Sequence, residues 1–171
     1  MKPIIIKYKT EYSLRERIIL FVLSIYVPVY KLIIHKRYSW NLKKNDLLQF
    51  PEKTLGNELG LFLQREELEI IEKIESHDVF HLLLEYKTKV IEESAMTFFL
   101  IGNGKVSIYT IGSAVFSGIF YPEKWKYFYQ HYKRGRDALP FTHWDFKALL
   151  NHNLEELKNI IFKKTNIYTG I

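Results

Sequence analysis

"IESHDVFHLLLEYKTKVIEESAM", residues 74–96, sets two histidines four apart in an otherwise apolar helical pattern. An aspartate follows the first histidine, and a pair of glutamates comes a short stretch later. On a helix over 66–86, at about 100° per residue, Ile70, Ile74, His77, His81 and Leu84 fall on one stripe. Both imidazoles are therefore predicted to point inward with the isoleucines. Asp78 lies about 100° further round, on the side of Ile71 and Ile74. Two histidines at i and i+4 can grip a single ion, because their side chains lie one above the other on a helix face.

The charged, β-branched segment "EYKTKV" predicts a turn that lets the next helix, about 89–101, pack back. There Glu93 shares a face with Met96 and Leu100, which aims its carboxylate at the same interior. A His, His, carboxylate set suits zinc, manganese or iron, with Asp78 as a fourth ligand or an orienting partner. From the residues alone, a pair of hydrogen-bonded core histidines remains the competing reading.

Helical periodicity extends over most of the chain and predicts one all-α domain over 1–171, a bundle of about six to eight helices. A short strand is expected at "PIIIKY". Ser13 should cap a helix over about 14–37, kinked near Pro28 by the missing amide hydrogen. Thr54 should cap "LGNELGLFLQ", and "GNGK" at 102–105 should break the chain as a loop. "VSIYTIGSAVFSGIF" is apolar, with small residues that let helices approach closely. "YPEKWKYFYQHYKRGRDALP" should start a helix at Pro122 and stop near Gly135. A last helical region is expected over about 142–164, interrupted near Asn151.

The 171 residues are 47% apolar and 16% aromatic, enough to bury a core and too apolar for disorder. There is no cysteine, so disulfides, thiolate nucleophiles and cysteine-ligated zinc are excluded. The net charge of +6 gathers in an early block (Lys31, His35, Lys36, Arg37, Lys43, Lys44) and a late one (Lys124, Lys126, His131, Lys133, Arg134, Arg136). Such patches attract anionic lipid or nucleic acid. No recognition helix or stacking motif accompanies them, so no nucleic acid partner is expected. The apolar run at 18–34 is interrupted by Pro28 and Lys31 and is short of a membrane span, so it reads as a buried or interfacial helix. No signal-peptide pattern is present at the start.

"HDVFH", eleven further residues and Glu93 reproduce H-D-x-x-H-x(11)-E. At these residues the sequence resembles the ubiquinone-biosynthesis proteins numbered fourth in the coenzyme Q series. "PEKTLGNELGLFL" is similar to that family's Pro-x-Gly-Thr-Leu-Gly segment, with Lys53 at the usual glycine. "YKRGRDALPFTHWDFKALLNHNLEELKNII" is similar to its C-terminal end. The resemblance covers about residue 50 onward; residues 1–45 are less diagnostic. It implies an all-helical, often dimeric protein that holds one divalent metal, zinc first, with manganese, iron or cobalt as alternatives. The ligands and catalytic groups it implies are His77, Asp78, His81 and Glu93.

The same resemblance implies a prenylated aromatic or isoprenoid lipid as ligand. It implies a cytoplasmic location against the inner face of the membrane, biosynthetic-complex partners, and replacement of the ring carboxyl of a prenylated hydroxybenzoate by a hydroxyl. The sequence departs from the family at Glu85 and Glu92, where glycines are usual. Two other readings compete. One is a non-enzymatic lipid carrier or scaffold. The other is a histidine–aspartate phosphohydrolase, for which His35 and Asp145 would have to supply the missing ligands.

Overall fold

The computed structural model describes residues 13–18, 21 and 38–163. The expected strand at "PIIIKY", the kink at Pro28 and His35 lie outside them. The chain divides into two units, Met1–Ser39 and Trp40–Ile171. In the first, α1 is described at 14–18 and 21. Ser13 opens it with a reciprocal cap: its backbone N–H donates to Glu16 Oε2 at 2.9 Å, and its Oγ accepts from the Glu16 N–H at 3.3 Å.

The second unit runs α2 (Lys44–Leu47), α3 (Leu55–Arg65), α4 (Glu75–Leu84), α5 (Val90–Gly102), α6 (Ile108–Phe120), α7 (Trp125–Asp137) and α8 (Leu154–Phe162). A 3-10 turn at Pro122–Lys124 leads into α7. Among the described residues there is no sheet, only an isolated bridge between Thr54 and Asn153. The all-α expectation is met.

Thr54 caps α3 as its position predicts, accepting from the Asn57 N–H at 3.3 Å. Two further amides of that first turn would be orphans in an isolated helix. Here they reach back across the chain, Leu55 N to His152 O and Gly56 N to Leu150 O, both at 2.8 Å. The C-terminal region is thereby pinned to the start of α3.

The helix expected over 66–86 is not continuous. Residues 66–74 form turns, and α4 starts only at Glu75. The break is a Schellman motif: Glu67 takes φ 55°, the Glu67 N–H bonds Gln64 O at 3.2 Å, and the Leu68 N–H bonds Leu63 O at 2.8 Å. No glycine announces it, so the 3.6 periodicity reads straight through. Ile70 and Ile74 consequently precede the helix that carries the histidines. α5 closes with the same motif, but there Gly104 supplies the left-handed residue at φ 93° and the loop was predictable. Residues 142–150 are also turns rather than helix, with α8 beginning at Leu154.

α5 is the central element and packs most extensively on α7 and α6. Phe80, Phe99, Phe128 and Phe141 are fully buried around it, and the Phe98 and Phe128 rings stack at 4.9 Å. Beyond the end of α5, buried Asn103 ties the chain after α7 in place. Its Nδ2 donates to Gly135 O at 3.0 Å and Leu139 O at 3.1 Å, and its Oδ1 accepts from the Phe141 N–H at 3.1 Å. Since a buried amide left unpaired is costly, this set fixes where the last third of the chain leaves α7.

Candidate metal centre

His77 stands in the first turn of α4 and His81 in its last, while Glu93 stands in the first turn of α5. Glu85, φ 60°, turns the chain between the two helices. The turn aims both helix ends at one point. Glu93 Oε1 lies 3.0 Å from His81 Nε2 and Oε2 lies 3.3 Å from His77 Nε2, so one carboxylate spans both rings. The two Nε2 atoms are 3.3 Å apart. One ligand atom from each of the three residues falls within 4.8 Å of the others. Asp78 is not in that convergent set, although it stays close enough to feel all three groups.

His81 is buried, but the His77 side chain is 38% exposed. The inward expectation therefore holds for His81 and only partly for His77. Because the helix starts at Glu75, His77 sits near its open end with no preceding turn to cover it. Phe62 of α3 stacks on the His81 ring at 5.6 Å and 20°, closing one side of the site.

The tautomer of His81 follows from its second partner. Its Nδ1 lies 2.9 Å from the Tyr86 carbonyl oxygen, which can only accept, so Nδ1 carries the proton. The Nε2 lone pair is then left facing the Glu93 carboxylate and His77. Electron-rich atoms at such distances need a proton or a cation between them. This is the orientation that a second partner imposes on a metal-binding imidazole. The three residues fit a divalent ion of the nitrogen- and oxygen-liganded kind.

The charges agree with this reading. Burial pushes the Glu93 carboxyl up, but His77 and His81 outweigh it and hold Glu93 well below the ordinary carboxylate range. Burial pushes His81 down; the Glu93 carboxylate and the Tyr86 carbonyl outweigh that and raise it above the usual imidazole value. Burial lifts Asp78 to about 6, against the pull of His77 and His81.

Linkage then gives the metal-free protein a signature. The raised His81 contributes stability that is complete below its unfolded value and is lost as pH rises through the folded one. The depressed Glu93 contributes stability present above its unfolded value and lost as pH falls. Melting temperature in chelator should therefore decline as pH is raised through the His81 titration. A divalent ion should restore it there, while its affinity falls about tenfold per pH unit below that titration. Thermal melts with and without zinc across pH check this; a zinc effect independent of pH would contradict it.

A cleft of about 500 Å³ opens beside His81, lined by Phe62, Leu82, Tyr86, Lys53, Glu85 and Lys158 among others. Lys53 and Glu85 occupy positions where the resembled family has glycine, and both take left-handed φ, 64° and 60°. The requirement for glycine is thus visible in the backbone. A long charged side chain accepts it here at a cost of about 1–2 kcal/mol each. Lys158 bridges Glu85 at 2.9 Å and Glu155 at 2.8 Å across the cleft wall. Glu92 is outside the convergent set and accepts from the Tyr127 hydroxyl at 3.0 Å. Of the alternative ligands, Asp145 instead accepts from the Ala148 N–H at 3.3 Å, a turn cap.

Fold and site together define an all-helical protein with a His–His–Glu cluster suited to a divalent cation. No family model matches the sequence, and no curated protein sequence matches it. Among solved structures, the fold is similar to that of a Nostoc punctiforme PCC 73102 protein assigned as a ubiquinone biosynthesis protein. The TM-score is 0.59, the identity 14%, and the match covers 87% of this chain and 81% of that one. At this identity the likeness establishes a shared fold.

Proposed function

We propose that this protein binds a divalent metal, zinc first among the candidates, at His77, His81 and Glu93 and serves quinone or prenyl-lipid biosynthesis. The observation that carries the reading is the convergence of the three ligand atoms on a site where the Tyr86 carbonyl fixes the His81 tautomer. The H-D-x-x-H-x(11)-E pattern and the likeness of fold to the Nostoc punctiforme protein support the pathway.

A bound divalent ion supplies Lewis acidity toward a substrate carboxylate or phenolate. Glu93 and the two imidazoles would hold the ion, and Phe62 covers one side of the His81 ring. Asp78 adds a nearby carboxyl, which burial raises to about 6 in the metal-free protein. The favoured reaction replaces the ring carboxyl of a prenylated hydroxybenzoate with a hydroxyl. The bond from ring to carboxyl breaks and carbon dioxide leaves, while a peroxide-class co-substrate gives one oxygen to the ring as hydroxyl and is reduced by two electrons to water. Lipids extracted from the purified protein and identified by mass spectrometry test this. A prenylated aromatic acid supports the enzyme, whereas only generic isoprenoid or phospholipid assigns the chain to a carrier.

The membrane surface is the proposed place of work. Among the described residues, no helix is long and apolar enough to cross a membrane. α6 has no charged residue and exposes Ile108, Ile111, Val115 and Ile119 along one side. Lys124 and Lys126 follow it directly, as expected of a helix lying on anionic lipid. Wild type should float with anionic vesicles at low salt. The double change Ile108→Glu with Ile119→Glu should weaken that binding at least about tenfold, since each isoleucine buries about 1.5–3 kcal/mol of apolar surface. Wild type that fails to float removes the membrane claim.

A further inference from the structure

α7 supplies none of the three ligand atoms, yet two of its side chains hydrogen bond side chains on both segments that carry the site. The Tyr86 hydroxyl is hydrogen bonded to His131 Nδ1, and Tyr86 is the residue whose carbonyl accepts from His81. One turn earlier on α7, the Tyr127 hydroxyl donates to Glu92 at 3.0 Å, beside the ligand Glu93. The Tyr127 and His131 rings meet edge to face at 4.4 Å, so the two grips form one unit. Tyr86 is buried between Phe99 and His131, with ring centroids at 6.3 and 5.2 Å.

The base is stiff. α7 is seated on α5 where Gly135 faces the Phe99 carbonyl and Gly102 faces the Tyr132 carbonyl, leaving no room for a Cβ at either glycine. The α7 backbone that carries Tyr127 and His131 is thereby held close against α5.

We propose that Tyr127 and His131 are positioning residues for the metal centre, one holding the start of α5 through Glu92 and the other holding the His81 carbonyl partner through Tyr86. This rests on the metal reading above. It goes beyond that reading by giving a role to side chains that neither the motif nor the ligand geometry includes. Two of the residues involved, Tyr86 and Glu92, flank the turn that joins the ligand-bearing helices, so an error there would be passed to His81 and Glu93 together.

The test uses cobalt(II) as a visible probe with the whole protein, in wild type, Tyr127→Phe, Tyr86→Phe, His131→Phe and His131→Gln. Tyr86→Phe keeps the carbonyl that His81 uses and removes only the anchor. Positioning predicts cobalt affinity lowered about 10- to 100-fold in the three phenylalanine variants. It also predicts altered d–d bands and partial recovery in His131→Gln, which retains a polar group toward Tyr86. Wild-type affinity and bands in Tyr127→Phe and Tyr86→Phe, both folded by circular dichroism, would overturn it.

The histidine nitrogen-15 signals of metal-free protein, recorded above the imidazole titration, give a readout independent of metal. Positioning predicts that His81 is held in the Nδ1–H form in wild type and becomes a tautomer mixture in Tyr86→Phe and His131→Phe. If wild type binds no cobalt but the tautomer still shifts, the metal reading fails and the positioning stands. An unshifted tautomer in both variants overturns the positioning.

Discussion

Wild-type protein purified without chelator and dialysed against zinc should retain about one ion per chain, and His81→Ala should retain essentially none. His81 is the strongest of the three test positions because both of its ring nitrogens are committed. Nδ1 is bonded to the Tyr86 carbonyl and Nε2 lies 3.0 Å from Glu93. Its removal deletes a ligand and leaves a buried carbonyl without its donor, so the loss should exceed the roughly 100-fold typical of disturbing an outer partner. His77→Ala, at the exposed end of the site, should be milder. Asp78→Asn separates the two roles considered for the aspartate: zinc retained means an outer position, and zinc lost means a ligand. Stoichiometry near zero in wild type after reconstitution would end the metal reading.

Gly135→Ala should be the most damaging single methyl in the second unit. The added Cβ would lie 2.0 Å from the Phe99 carbonyl oxygen and 2.8 Å from its carbon, both backbone atoms with no rotamer to yield. Either α7 lifts from α5 or the Gly135 carbonyl leaves Asn103 Nδ2. Overpacking of this kind costs about 3 kcal/mol or more at the high end, and about 2–4 °C of melting temperature accompanies each kcal/mol at this size. Gly112→Ala is the matched control. Nothing lies within 4 Å of its Cβ position on α6, and alanine in a helix interior is better than glycine by roughly 0.5–1 kcal/mol. Opposite signs are expected from the same chemical change. Equal melting temperatures for the two variants would show that the α5–α7 crossing is looser than described.

Local signals were sufficient wherever the deciding atoms lie within a few residues. Thr54 before an apolar run gave the start of α3, "GNGK" gave the end of α5, and His77 with His81 gave two candidate ligands one helical turn apart. Glu93 could be added because the turn between α4 and α5 is short and the motif supplied its spacing. Reading failed at 66–74, where a Schellman turn is built on Glu67 rather than glycine and leaves the hydrophobic period undisturbed. It failed again at 142–150, where local turn bonds such as Leu149 N to Phe146 O replace the helical ladder and Leu150 O is taken by Gly56 N of α3.

The anchors of the site were invisible for a different reason. Tyr86 and His131 are 45 residues apart, and Glu92 and Tyr127 are 35. In the sequence, His131 and Arg134 belong to a basic block that reads as a patch attracting anionic lipid. In the fold, His131 turns to Tyr86, and Arg134 lies over the Phe162 ring at 4.9 Å. By itself the sequence determined the all-α class and put His77 and His81 on one helix face, because helix periodicity and i,i+4 spacing are properties of neighbouring residues; Glu93 joined them through the spacing of the motif. Only the tertiary structure decided that Asp78 stands outside the convergent set, which nitrogen of His81 faces Glu93, and that α7 bonds Tyr86 and Glu92. Those outcomes depend on a carbonyl, a turn and a helix crossing that long-range packing brings together, and no local pattern encodes them.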